Sequence, residues 1–201
     1  MKIFRELTKK PWLTEQGVVE DLHDGRFFAM PSARLGLRVF VTVVTVVFTL
    51  IIVSYFFRRA LSDWNSVPEP ALLWLNTALL FLSSVAMQRA RASARRDELG
   101  GVKNGLFAAG LLTLGFLAGQ LFAWQQLGYN SANPASVFFY LLTALHGLHL
   151  LGGLVAWIRT TAKVSRGVAA ADVRLSVELC AFYWHFLLLV WLILFGLLLA
   201  T

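Results

Sequence analysis

Five apolar runs set the fold of this chain: Leu37–Phe57, Ala71–Gln88, Gly105–Leu127, Ala135–Ile158 and Val177–Ala200. About 20 helical residues cross the ~30 Å hydrocarbon core of a bilayer, and each run is about that long. Backbone N–H and C=O groups cannot go unsatisfied in lipid, so the runs are expected to be helices rather than open strands. The breaks carry polar and helix-ending residues: Arg58, Arg59, Asn65, Pro68 and Pro70; then Arg89 to Lys103; then Gly128 to Pro134; then Arg159 to Arg174. The expectation is an all-α membrane protein, a five-transmembrane-helix bundle. A tail at residues 1–34 precedes a five-helix domain at 35–201.

Composition supports that class. The 201 residues are 58% hydrophobic and 14% charged, against about 25% charged in a soluble domain. The lone Cys180 allows no disulfide within the chain. The mixed-charge stretch Lys2 to Arg34 does not read as a cleavable signal peptide. Its interspersed Trp12, Leu13, Val18, Val19 and Leu22 suit a short surface helix or a disordered tail. Lys and Arg residues number 16 on the side of the N-terminus and 2, Arg58 and Arg59, on the other. The positive-inside rule then puts the N-terminus in the cytoplasm and the C-terminus outside. The same flanking charge accounts for the net +7 without invoking nucleic acid.

Polar residues inside the runs are the candidates for function, because such groups are costly in hydrocarbon and face partners. The fourth run holds His146, His149, Gly147, Gly152 and Gly153; the fifth holds Glu178, Tyr183, Trp184 and His185. His149 and His185 lie roughly equally deep from the inner end, by about 12–14 Å at 1.5 Å per residue. An antiparallel register can bring them face to face. The three glycines are expected to admit a neighbouring helix. Asn76, Ser83, Ser84 and Gln120 read as polar contacts between helices. Trp12, Trp64, Trp74, Trp124, Trp157 and Tyr129 fall near the expected interfaces, as an aromatic belt does. Four roles remain open for the histidine and glutamate clusters: helix-locking hydrogen bonds, haem or metal ligation, a proton relay through Glu178, and lipid-headgroup binding near Glu178 and the Arg159–Arg174 connection.

These segments carry a resemblance. Ser136 to Gly153, with His146, His149 and the Gly152-Gly153 pair, resembles the histidine-bearing helix of subunit 3 of haem–copper terminal oxidases. Glu178, then Tyr183-Trp184-His185-Phe186, ending at Val190-Trp191, is similar to a second signature of that family. Leu75-Asn76-Thr77 to Ser83-Ser84 and Leu114-Gly115-Phe116 to Gln120 match two more of its helices. The resemblance runs in order from Arg34 to Thr201 and is to the short, five-helix bacterial form of cytochrome c oxidase subunit III.

It implies a non-catalytic structural subunit of the bacterial inner membrane, stabilising subunit 1, its main contact, beside subunit 2, and binding phospholipid. Haem and copper are then expected in the partner subunits and none in this chain. Cytochrome c oxidation coupled to oxygen reduction and proton pumping is the implied activity of the whole. The corresponding subunit of a quinol oxidase, or a nitric-oxide-reductase-associated protein, is the alternative. Carboxylates common in the family are replaced at Val44 and Leu188, a further one of its longer form is replaced at Ala123, and Glu178 alone remains.

Overall fold

The structure is a computed structural model, and it describes residues 32–65, 71–128, 132–167 and 170–200. Five helices account for nearly all of them: α1 (Ser32–Arg59), α2 (Leu72–Arg95), α3 (Leu99–Leu127), α4 (Pro134–Ser165) and α5 (Ala170–Leu199). Most of the tail, with Trp12 and His23, lies outside the described residues, as do Pro68, Pro70, Tyr129 and Asn130. Met1–Arg38 forms one unit, of which the first turns of α1 are described; Val39–Thr201 forms the other and contains everything discussed below.

The apolar runs understate the helices. α2 continues to Arg95, α3 begins at Leu99, α4 continues to Ser165 and α5 begins at Ala170. Apolarity marks what lipid can cover. The i to i−4 hydrogen-bond ladder needs no apolar side chain, so arginine- and alanine-rich ends extend the helices past the hydrophobic limit. The α2–α3 connection shrinks accordingly. Arg96 and Glu98 both donate backbone N–H groups to the Ser93 carbonyl at 3.0 Å. Between them Asp97 takes a positive φ of 57°, which a short polar side chain tolerates better than a branched one. α4 begins on a cap: the Asn133 side chain accepts from the Ala135 N–H at 3.1 Å, and Pro134 occupies the first turn. The Asn133 amide also donates to the Asn65 carbonyl at 2.8 Å, tying that cap to the α1–α2 connection. In the same connection Arg58 pairs with Asp63 and holds its carboxyl below the usual carboxylate range.

Four helical stretches are long and apolar enough to cross a membrane: Ala33–Arg59, Leu99–Leu127, Pro134–Ser165 and Val173–Leu199. α2 is apolar through most of its length but carries Arg89, Arg91 and Arg95 in its last seven residues. It lies against both α3 and α5, while α4 lies against α3 and α5. The α2–α3 approach is the closest in kind: Gly105 sits on Ala90, and Gly101 on Ser93. α1 is held differently. From Val39 on, no Cα of α1 comes within 8 Å of another described helix. It packs through long side chains, with Val44, Phe48 and Tyr55 against Leu142 of α4 and Val190, Leu194 and Leu197 of α5.

Candidate functional site

α5 presents its polar residues to α2. Glu178 Oε1 lies 3.5 Å from Arg95 Nε. One heptad later His185 bonds Ser84 Oγ through Nδ1 at 2.7 Å and Gln88 Oε1 through Nε2 at 3.2 Å. Gln88 and Arg95 are themselves seven apart, so the two antiparallel helices match residue for residue. A neutral imidazole satisfies both contacts, donating from Nε2 to the amide oxygen and accepting the serine hydroxyl at Nδ1. Beside His185, Trp184 Nε1 donates to Ser83 Oγ at 2.8 Å. Ser83 in turn bonds the Ala109 carbonyl at 2.9 Å and Thr113 Oγ1 at 2.7 Å, so α2, α3 and α5 share one buried network. Nearer the other end Trp191 Nε1 donates to Thr77 Oγ1 at 3.0 Å.

This corrects the face-to-face expectation for the histidines. His185 spends both ring nitrogens on α2. His149 Nδ1 donates to the Leu145 carbonyl of its own helix at 2.7 Å, and its ring lies 5.4 Å from that of Phe48 and 6.2 Å from that of Phe40 on α1. The reason is helical phase. Tyr183 and His185 are two residues apart, hence about 200° around α5. Tyr183 takes the α4 side, donating its hydroxyl to the His149 carbonyl at 3.0 Å, and His185 is thereby turned away. The polar seam joins α5 to α2 rather than α5 to α4.

His146 is fully buried against aromatic rings, 5.2 Å from Trp191 and 5.9 Å from Phe116. Neither of its nitrogens has a partner among the described residues. Asn76 Nδ2 donates to Gln120 Oε1 at 3.3 Å across α2 and α3. Of the three glycines expected to admit a helix, only Gly153 does so, against the Tyr183 ring at 3.0 Å from an added Cβ; Gly147 and Gly152 face open space. Among the described residues no three His, Cys, Asp or Glu side chains converge as a metal shell would need. His149 and His185 turn to different helices, α1 and α2.

Sequence reasoning missed two of the indoles. Trp124 and Trp157, placed in an aromatic belt, each make a bond between helices: Trp124 Nε1 donates to Thr143 Oγ1 at 3.0 Å, and Trp157 Nε1 to the Leu106 carbonyl at 2.8 Å. With Trp184 and Trp191, two indoles fasten α3 to α4 and two fasten α5 to α2. An indole buries a large apolar surface and carries one donor that needs a partner when buried. The available signal was Thr77, Ser83 and Thr143, hydroxyls that stand within otherwise apolar runs.

A substitution pair separates the roles of the histidines. His185→Leu removes two bonds to α2 and is expected to cost the assembled protein about 1–2 kcal/mol, since one such membrane contact averages ~0.6 and reaches ~1.7 kcal/mol. His149→Leu removes one bond within a single helix and is expected to cost less. Thermal denaturation of the purified variants measures both. Equal costs would contradict the assignment of the seam to α2 and α5.

The fold and this seam define a class: a multi-pass helical membrane protein whose inward-facing polar groups join helices to one another. Comparison with known proteins identifies the member. Residues 13–199 match the family model described as cytochrome c oxidase subunit III, and the chain belongs to that family. It is 34% identical to a probable cytochrome c oxidase subunit 3 of Nocardia farcinica, over 71% of this chain and 74% of that protein. It is 31% identical to one of Mycobacterium tuberculosis, over 70% and 74%. A cytochrome c oxidase subunit 3 of Thermostichus vulcanus is 28% identical over 91% of this chain and 96% of its own length. The protein is therefore a subunit of a haem–copper oxidase and works in a complex with other subunits.

Proposed function

We propose that this chain is a non-catalytic structural subunit of a cytochrome c-oxidising terminal oxidase, with haem and copper held in its partner subunits. It packs on subunit 1, stands beside subunit 2 and holds phospholipid, while oxygen reduction and proton pumping proceed elsewhere. All five helices cross the bacterial inner membrane, with the N-terminus in the cytoplasm and the C-terminus outside. The 16-to-2 asymmetry of Lys and Arg supports that orientation. The observation that carries the structural reading is the commitment of the polar residues. Glu178, Tyr183, Trp184 and His185 each bond a neighbouring helix, and Asn76 bonds Gln120. A proton relay needs groups free to change partners, whereas here they fix helix positions.

Purifying the native complex through this chain tests the proposal. Haem a with a copper-bearing second subunit is the expected reduced-minus-oxidised signature. Haem b and haem o without that copper would assign the chain to a quinol oxidase instead. A haem Soret band in the separated subunit would overturn the non-catalytic reading.

Glu178→Gln probes the lipid and assembly role. The Arg95 side chain is 51% exposed and that of Glu178 22%, so the pair contributes at most about 1 kcal/mol. The variant complex is expected to lose phospholipid or partner subunits on purification while its initial turnover stays near wild type. Immediate, complete loss of oxygen reduction in a correctly assembled complex would contradict it.

A further inference from the structure

Three side chains at the centre of the bundle keep hydrogen-bonding capacity that no described residue meets. His146 and Asn76 are fully buried, and Gln120 nearly so. Asn76 Nδ2 donates to Gln120 Oε1 at 3.3 Å, which leaves Asn76 Oδ1 and Gln120 Nε2 without a partner. Nδ1 and Nε2 of His146 have none either. Native proteins seldom leave a buried polar atom unmet, because it has lost water and gained nothing. The helix register brings these atoms to one level. α3 and α4 run antiparallel: Trp124 bonds Thr143, and the Phe116 ring lies 5.9 Å from that of His146. Gln120 is one turn from both Phe116 and Trp124, so it stands opposite the turn that carries Thr143 and His146. On α5, Trp191 lies 5.2 Å from His146 and bonds Thr77, the neighbour of Asn76. Gly119 leaves room for the Asn76 amide against the α3 main chain, where an added Cβ would meet Asn76 Oδ1.

The unmet atoms are one amide acceptor, one amide donor and, on a neutral imidazole, one donor and one acceptor. Donors and acceptors balance and none carries charge, which suits water rather than an ion. The two ring nitrogens point apart, so a single molecule cannot bond both. A buried water makes about 3 hydrogen bonds, and a pair of waters bonded to each other reaches that number on these atoms. We propose that α2, α3, α4 and α5 enclose a bound pair of waters that bridges His146 to the Asn76 and Gln120 amides. The site lies within this chain and is the same whichever oxidase the chain serves.

Brief X-ray radiolysis of the intact purified complex tests it, because bound water then yields hydroxyl radicals in place and oxidises the rings beside it. Trp191 and Trp184 are equally buried, at 0% and 1% exposure, and each N–H already has a hydroxyl partner. Only Trp191 borders the proposed waters. Peptide mass spectrometry of wild type is expected to show Trp191 and Phe116 oxidised severalfold more than Trp184. His146→Phe and Gln120→Leu each remove polar partners of the waters, and each is expected to lower the Trp191 yield severalfold. Ser84→Ala, which takes a bond from the α2–α5 seam instead, is expected to leave that yield unchanged. Wild-type Trp191 no more oxidised than Trp184 overturns the site. A Trp191 yield unchanged in His146→Phe, or unchanged in Gln120→Leu, overturns the bridge between imidazole and amides. Should the variants fail to assemble, a high-resolution electron cryomicroscopy map of the wild-type complex decides. Water density within hydrogen-bonding reach of both His146 and an amide supports the site. Density that reaches neither amide, no density, or protein partners on both His146 nitrogens overturns it.

Discussion

Gly105→Leu is expected to force α2 and α3 apart and to give the largest loss of stability of any single helix-contact substitution in the bundle. A Cβ at Gly105 would lie 2.9 Å from both the backbone nitrogen and the Cα of Ala90. The obstacle is main chain, which cannot rotate away as a long side chain can. Overpacking a tight interior costs about 1–3 kcal/mol and sometimes more, and relief here requires moving a whole helix. The strain would not stay local. α2 holds Ser83, Ser84 and Gln88 against α5, so displacing it also lengthens the bonds to Trp184 and His185. Thermal denaturation and the yield of assembled complex measure the effect, with Gly105→Ala as the milder step. Gly147→Leu serves as the internal comparison, because an added Cβ there meets nothing within 4 Å. If Gly105→Leu were as stable as Gly147→Leu, the close α2–α3 approach would be wrong.

The helices were legible in the sequence, but the faces they present to one another were not. A soluble helix shows its buried side as an apolar stripe, because water selects against apolar residues on the other side. Lipid imposes no such selection, since its tails are as apolar as leucine. Leu189 and Phe182 of α5 are exposed while Leu187 and Leu194 of the same helix are buried, with no difference in residue type to tell them apart. Polar residues do mark faces, and Glu178 with His185 correctly reads as one stripe. What the sequence does not state is the stripe's partner. α4 follows in order and carries histidines at matching depth, so α4 looks like the neighbour across the seam. α2 takes that place because its Ser84, Gln88 and Arg95 repeat at the same spacing in the opposite direction. The bonds of Trp124 and Trp157 were hidden for a similar reason: tryptophan near a membrane interface has a sufficient explanation there. Trp157 instead sits over Gly110, where an added Cβ would lie 2.2 Å from the indole ring, and that glycine is what lets its N–H reach Leu106.

Val44→Glu is expected to be the most damaging polar substitution in α1, although a carboxylate at this level is what the family resemblance leads one to expect. Val44 is buried in a cluster with Phe48, Tyr55, Leu142 and Leu194. A charged side chain placed at the middle of a membrane helix costs about 3 kcal/mol on insertion scales. Two of the nearby threonines of α1 offer little help. Thr45 already donates to the Val41 carbonyl and Thr49 to the Thr45 carbonyl, each at 2.8 Å. α1 is also the helix with the least backbone contact to the rest, so a change at Val44 acts on side chains that supply most of its attachment. The expected result is a complex with lowered thermal stability and α1 loosened from α4 and α5. Val44→Leu, similar in chemistry and one methylene larger, is expected to cost under about 1.5 kcal/mol and so separates charge from bulk. Turnover gives the second readout. Ala123 is fully buried, and Leu188 stands where the family often has an aspartate, so no second carboxylate at those two positions accompanies a glutamate introduced at Val44. Oxygen reduction per assembled complex should therefore remain at the wild-type level while assembly falls. A stable Val44→Glu complex with raised proton uptake would show that α1 still supports a proton route, and the structural role proposed for this subunit would have to give way.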